Sequence, residues 1–316
     1  MPWITSNVFK QAPTESLLHL PSFDSPRAKV RFRHVVHFYR STAVPEDTDV
    51  QRLTFATILE ARQLAKPKHR VAPIAVTFPA DADMVPAEFT RAAPLDRVIT
   101  EMATFTHARP LPLLFDILDR GIKAQVPPGN EREPGDDEEF YVLTNSDIHV
   151  QPSFYLAIGE LIAKGYDVIT INRRTVYGDP LAPLSSLMLA EHGVDHPGFD
   201  CFIFPSRMLA SSIPSRAVCG CGYVMRSLLF NLVAQAQRFL MVGYAHLTFH
   251  IGDSNSLNPK FADYVSFNAA EAQMIVDRLA KDPEKAKRLA DFIVAHEAGT
   301  YRAPIVGERP LQASHP

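Results

Sequence analysis

The sequence predicts an α/β protein, a sheet layered by helices, and three observations predict it. Short apolar runs alternate with helical stretches through the first half of the chain. Strand, helix and strand follow in that order, which implies a parallel crossover. The first run is apolar enough for a central strand rather than an edge.

Element by element, residues 1–27 carry no clear period and read as an irregular extension. "VRFRHVVHFYRS" predicts a strand over 30–39. Thr48 or Asp49 then caps a helix in which Phe55, Ile58, Leu59 and Arg62 lie on neighbouring turns. "VAPIAVTF" is a second buried strand, broken at Pro79, and 79–95 form a loop with carboxylates at Asp81 and Asp83. "RPLPLLFDILDRGIKA" is a helix, with Pro112 suited to its first turn and Gly121 near its end. Residues 125–139, "QVPPGNEREPGDDEE", are a polar loop whose composition suits ordering over a bound ligand.

A strand over 140–143, a helix over 152–164 and the strand "YDVITIN" come next. Beyond Asn172 the alternation loosens. "FDCFIF" is a short strand, "YVMRSLLFNLVAQAQRF" a helix and "HLTFHI" a strand, followed by helices over 268–281 and 283–298 and a tail. The linkers are too short for two independent domains, so 28–300 read as one domain and 301–316 as the tail.

A length of 316 residues and 46% hydrophobic composition suit a soluble globular chain with a sizeable core. The balance of 32 basic against 35 acidic residues argues against a nucleic-acid partner. Cys201, Cys219 and Cys221 form no paired framework, which suits a reducing compartment, and the lone CxC lacks the second pair that zinc requires. The N-terminal stretch does not read as a secretory signal, and no run approaches the ~18 apolar residues of a membrane span. A cytoplasmic location is expected. No Gly-x-Ser-x-Gly elbow, P-loop or Gly-x-Gly-x-x-Gly appears.

The chemistry concentrates after the strand over 140–143, where "TNSDIH" follows an apolar run. In open α/β sheets ligands bind beyond the carboxyl ends of the strands. Asn145, Ser146 and Asp147 fall there, as a turn leading into the next helix or as the place where Asp147 supplies a carboxylate to Mg²⁺ or Mn²⁺.

The ordered set "PLLFDIL", a polar gap, "FYVLTNSDI", then "HPGFDCFIFP" and "HLTFHIGDSNSLN" resembles the nucleotide-diphospho-sugar transferases of the glycosyltransferase A fold. The resemblance spans about residues 30–270. It implies a three-layer α/β/α fold with a mixed central sheet. A Rossmann-like nucleotide half would cover about 28–150, an acceptor half 151–265 and C-terminal helices 266–300. It implies transfer of a sugar from a nucleotide donor to a hydroxyl acceptor, with Mn²⁺ or Mg²⁺ on the diphosphate. In the family an Asp-x-Asp triplet ends a central strand, whereas this chain has Asn145 first and keeps Asp147 as the metal carboxylate. Asn145 retains an amide oxygen for ribose or metal without bringing charge. His250 or Asp253 would close the metal site from a later strand. Tyr39 and Ser41 would meet the base and ribose, Asp81 a pyrimidine N–H, and Asp116 the ribose. Asp200 would be the general base, and Arg173 and Arg226 are candidates for pairing with phosphate. Each of these residues also has an ordinary loop, cap or surface role open to it.

Two rival readings remain at this level. "SDIHV" and "IGDSNS" also match pieces of binuclear metallophosphoesterases, although the intervening Gly-Asn-His segment is missing. A non-catalytic binding protein would keep the fold, with Asn145 marking a lost metal site.

Overall fold

The computed structural model describes residues 30–40, 45–126, 139–179, 184–196, 198–243, 245–252 and 259–297. The expected extension over 1–27, Ser41, the greater part of the loop over 125–139, Asp253 and the tail lie outside the described residues.

Three parallel strands form the centre: β1 (Arg31–His37), β2 (Arg70–Val76) and β4 (Glu139–Thr144). β3 (Thr90–Arg91) pairs with β2 at the edge. On the other side β9 (Cys201–Pro205) runs antiparallel between β4 and β6 (Val168–Ile171), and β10 (Phe239–Val242) completes the order β10-β6-β9-β4-β1-β2-β3. Only β9 is reversed, so the carboxyl ends of the other six strands share one edge. The amino end of β9 lies on that edge too.

Side chains alternate across the sheet, as the period of a strand requires. Val35, Ile74, Tyr141 and Leu143 face one core with α2 (Leu114–Lys123), α6 (Arg226–Gln235), α7 (Ala262–Leu279) and α8 (Pro283–Glu297). Val36, Val71, Phe140 and Val142 face the other, with α1 (Pro45–Ala65) and α3 (Phe154–Ala163). The fold is therefore a three-layer α/β/α sandwich on a mixed sheet.

A second, four-stranded sheet hangs from the carboxyl edge, in the order β5 (His149–Val150), β11 (Thr248–Ile251), β7 (Arg174–Val176) and β8 (Val194–Asp195). β5, β7 and β11 are reached by the chain as it leaves β4, β6 and β10, so one small sheet ties three strand exits together. β11 pairs antiparallel with β5 and parallel with β7. Strands of two to four residues give no readable alternation, which is why all but β11 escape a sequence reading.

Several boundaries differ from expectation. The helix expected to include Pro112 starts at Leu114, because Leu113 bridges Val218 and the Leu114 N–H donates to Ala217 O at 2.8 Å. That pairing holds the preceding segment extended. α1 begins at Pro45, ahead of the expected caps, and α7 at Ala262, six residues before the expected 268. The helix expected to run to Phe239 stops at Gln235, the chain turns at Ala236, and Phe239 instead opens β10. Residues 79–95 hold a 3₁₀ helix (Pro79–Met84) and β3.

Candidate functional site

β1 has β2 on one side and β4 on the other, so the chain's path through the sheet reverses beside it. A crevice at such a reversal, beyond the carboxyl ends, is where open α/β sheets take ligands. Beyond β1, Gln51 of α1 clamps Tyr39: the Tyr39 N–H donates to Oε1 at 3.0 Å, and Nε2 donates to Tyr39 O at 2.8 Å. Tyr39 is 37% exposed, and its ring stacks on His37. The Arg40 N–H donates to Asp81 Oδ1 at 3.2 Å, and the Arg40 guanidinium forks onto both oxygens of Asp83 at 3.0 Å. Tyr39 and Asp81 thus share one corner. Asp116 is engaged differently, since Arg97 donates to both its oxygens.

Beyond β4 the turn is closed by the Ile148 N–H donating to Asn145 O at 3.3 Å, and the Thr54 hydroxyl donates to Ser146 O at 2.8 Å. The helix that follows begins after Ser153, so Asp147 is no helix cap. Its side chain is 42% exposed and faces His250 of β11, with Oδ2 at 3.2 Å from Nε2. Burial pushes the Asp147 carboxyl up, but the hydrogen bond and charge of His250, with the charge of Arg173, outweigh it and hold the group at about 2.

The other face of His250 decides its chemistry. Nδ1 lies 2.8 Å from Gly252 O, and a carbonyl only accepts, so Nδ1 carries a proton. A neutral ring then presents a bare Nε2 lone pair to a carboxylate oxygen, and two acceptors repel. A second proton or a shared cation relieves that repulsion. Two ligands in neighbouring octahedral positions, each ~2.1 Å from a Mg²⁺-sized ion, lie about 3 Å apart. The observed 3.2 Å separation fits a shared cation. Among the described residues no three His, Cys, Asp or Glu gather as a metal-binding group, so protein would supply two ligands and substrate or water the others.

His149, the neighbour that a phosphoesterase reading pairs with Asp147, is turned inward. It is fully buried against Phe249, its Nδ1 is 3.1 Å from Thr54 Oγ1, and burial pushes its pKa down to about 3. Asp147 therefore meets His250 instead. The cysteines are free, and burial raises the Cys219 and Cys221 thiols to about 12 and about 11, the protonated form that zinc does not bind.

Asp200 lies one residue before β9, at the same edge, and is 6% exposed. Arg173 Nη1 is 3.7 Å from its Oδ1, and His196 Nδ1 is 3.3 Å from its Oδ2. Gly198 closes this corner, since a β-carbon there would lie 2.6 Å from His196 Cε1 and 3.4 Å from Asp200 Oδ2. Tyr39, Asp81, Asn145, Asp147, His250 and Asp200 thus share the carboxyl edge of the main sheet and the small sheet hung from it. Gln51, Thr54 and His196 are supporting residues that no motif marks in the sequence.

No protein-family model and no curated protein matches the chain. Among solved structures it is similar to Rv0371c from Mycobacterium tuberculosis H37Rv, at 13% identity and TM-score 0.38, covering 77% of this chain and 100% of that one. It is also similar to 4-diphosphocytidyl-2C-methyl-D-erythritol synthase from Anaerococcus prevotii DSM 20548, at 9% identity and TM-score 0.33, covering 78% and 99%. Likenesses this loose carry no argument about activity. No helix among the described residues is long and apolar enough to cross a membrane.

Proposed function

We propose that this chain transfers a sugar from a nucleotide-diphosphate donor to a hydroxyl acceptor at the carboxyl edge of its central sheet. The observation that carries the reading is the Asp147–His250 pair, a carboxylate opposite an imidazole whose far nitrogen is already committed to Gly252 O. That donor set fits Mn²⁺ or Mg²⁺. When bound, the cation would supply positive charge to the departing diphosphate. The corner of Tyr39 and Asp81 would take the nucleoside, as would Ser41 and Asp116, and Asn145 would offer its amide oxygen to ribose or metal. Asp200 would receive the acceptor's proton, within a recess that excludes most water.

Titration calorimetry with UDP and GDP, with and without Mn²⁺, tests this. Mn²⁺ should tighten nucleotide binding in the wild type and leave Asp147→Ala unchanged. Equal Mn²⁺ enhancement in both proteins would remove Asp147 from the site, and no nucleotide binding under any condition would leave only the scaffold.

A further inference from the structure

Arg173 follows β6 at the edge where the candidate site lies, with only 4% of its side chain exposed. A guanidinium keeps its charge and offers five N–H donors, and one set this deeply normally forks onto a carboxylate or phosphate. Here no hydrogen bond leaves the Arg173 side chain among the described residues. Nε is sealed without a partner, and the nearest carboxylate oxygen, Asp200 Oδ1, lies at 3.7 Å, beyond hydrogen-bond length.

Its neighbours are unmatched in the complementary sense. Asp200 Oδ2 has no donor, because the His196 Nδ1 beside it already accepts from the Gly198 N–H at 2.9 Å. Asn172 Oδ1 also has no partner, although its Nδ2 reaches His196 O at 3.4 Å. Buried polar atoms without partners are rare and call for an explanation. Arg173 lies just after β6 and Asp200 just before β9, so the two unmatched groups meet at the edge that also carries Asp147.

We propose that Arg173 is the anion-binding side chain of this site and takes the diphosphate oxygens of the nucleotide donor. The inference rests on the transferase reading and adds to it a fixed cation for the leaving group. An anion entering beside Asp147 and Asp200 meets two negative charges, and a buried, uncommitted guanidinium is what makes its entry favourable. In the transfer, the bond from the sugar's anomeric carbon to the diphosphate oxygen breaks, and its electron pair stays on that oxygen, held by Arg173. A new bond forms from the acceptor oxygen to the same carbon, and the acceptor's proton passes to Asp200. In this scheme the Arg173 guanidinium serves the leaving oxyanion and the Asp200 carboxylate serves the attacking hydroxyl.

The test is calorimetry with inorganic diphosphate in metal-free buffer on wild type, Arg173→Met, Arg173→Lys and Asp147→Ala. Met fills the same buried volume without charge but leaves buried Asp200 without its cation, which lowers stability, so a cooperative melting transition first shows that the variant is folded. Folded Arg173→Met should bind diphosphate at least about tenfold more weakly. Arg173→Lys should fall between the two, and Asp147→Ala should bind metal-free diphosphate no worse than wild type. A folded Arg173→Met with unchanged affinity, or a wild type that ignores diphosphate, overturns the proposal. If Mn²⁺ and Asp147→Ala change nothing while Arg173→Met still loses diphosphate, the anion site stands and the metal-dependent reading falls.

Discussion

The proton on one imidazole nitrogen sets the chemistry of the Asp147–His250 pair. Gly252 O fixes it on His250 Nδ1, and that alone turns Nε2 and Asp147 Oδ2 into a matched or mismatched pair. Because Asp147 is 42% exposed, water screens the pair and its contribution to stability is small. Replacing His250 by Ala should abolish the tightening of nucleotide binding by Mn²⁺ while metal-free nucleotide binding persists, as read by calorimetry. Asn145→Asp adds the second carboxylate to the same turn, and affinity for hard cations rises with ligand charge. Mn²⁺ should bind this variant about tenfold tighter; an unchanged affinity would place residue 145 away from the cation.

At the scale of elements, the small sheet assembles the site. β11 carries His250 and is gripped by β5 and β7, each a continuation of a different main-sheet strand. Phe249 anchors it, fully buried between the rings of His149 at 5.1 Å and His246 at 5.5 Å. Phe249→Ala should cost about 3–5 kcal/mol in urea unfolding, and the Mn²⁺ response should weaken with it because His250 loses its support. Phe249→Leu, closer in volume, should cost less and restore that response. If the Ala variant kept full stability, Phe249 would not be the anchor of β11. On the opposite core, Asn268 of α7 receives the Val218 N–H at 2.8 Å and donates to Val218 O at 3.1 Å and Gly222 O at 3.0 Å. One buried amide thereby fixes the loop between β9 and α6.

For the molecule as a whole, one buried imidazole joins the central strands to the helical layer. His34 of β1 is fully buried, with Nδ1 at 2.7 Å from the Tyr155 hydroxyl of α3 and Nε2 at 2.9 Å from Thr144 Oγ1 at the end of β4. Burial pushes its pKa from 6.5 down to about 3, so the folded ring stays neutral where an unfolded one would take a proton. The unfolded chain then binds more protons between those values, and stability rises with pH across that interval. The contribution of His34 is full above about pH 6.5 and drains away as pH falls towards 3. The stability difference between wild type and His34→Asn in urea should therefore shrink on acidification. A difference that stayed constant or grew would mean that His34 is charged in the folded state.

What the sequence determined by itself was the layered α/β plan and the place of Asp147. Both rest on local signals: apolar runs long enough to show a period, and a polar packet ending one of them. It also supplied the ordered motifs on which the nucleotide-sugar reading still rests. Long-range pairing brings His250, more than a hundred positions away in the chain, to face Asp147, while His149, two residues away, turns into the core. A strand of two residues has no periodicity to read, and the direction of its side chains depends on what it pairs with. The same holds for Arg173, which the sequence offers both as a phosphate partner and as an ordinary surface or structural charge. Its burial without hydrogen bonds comes from the meeting of β6, β7 and the turn before β9, which are separate in sequence and share one edge only after the sheet has formed.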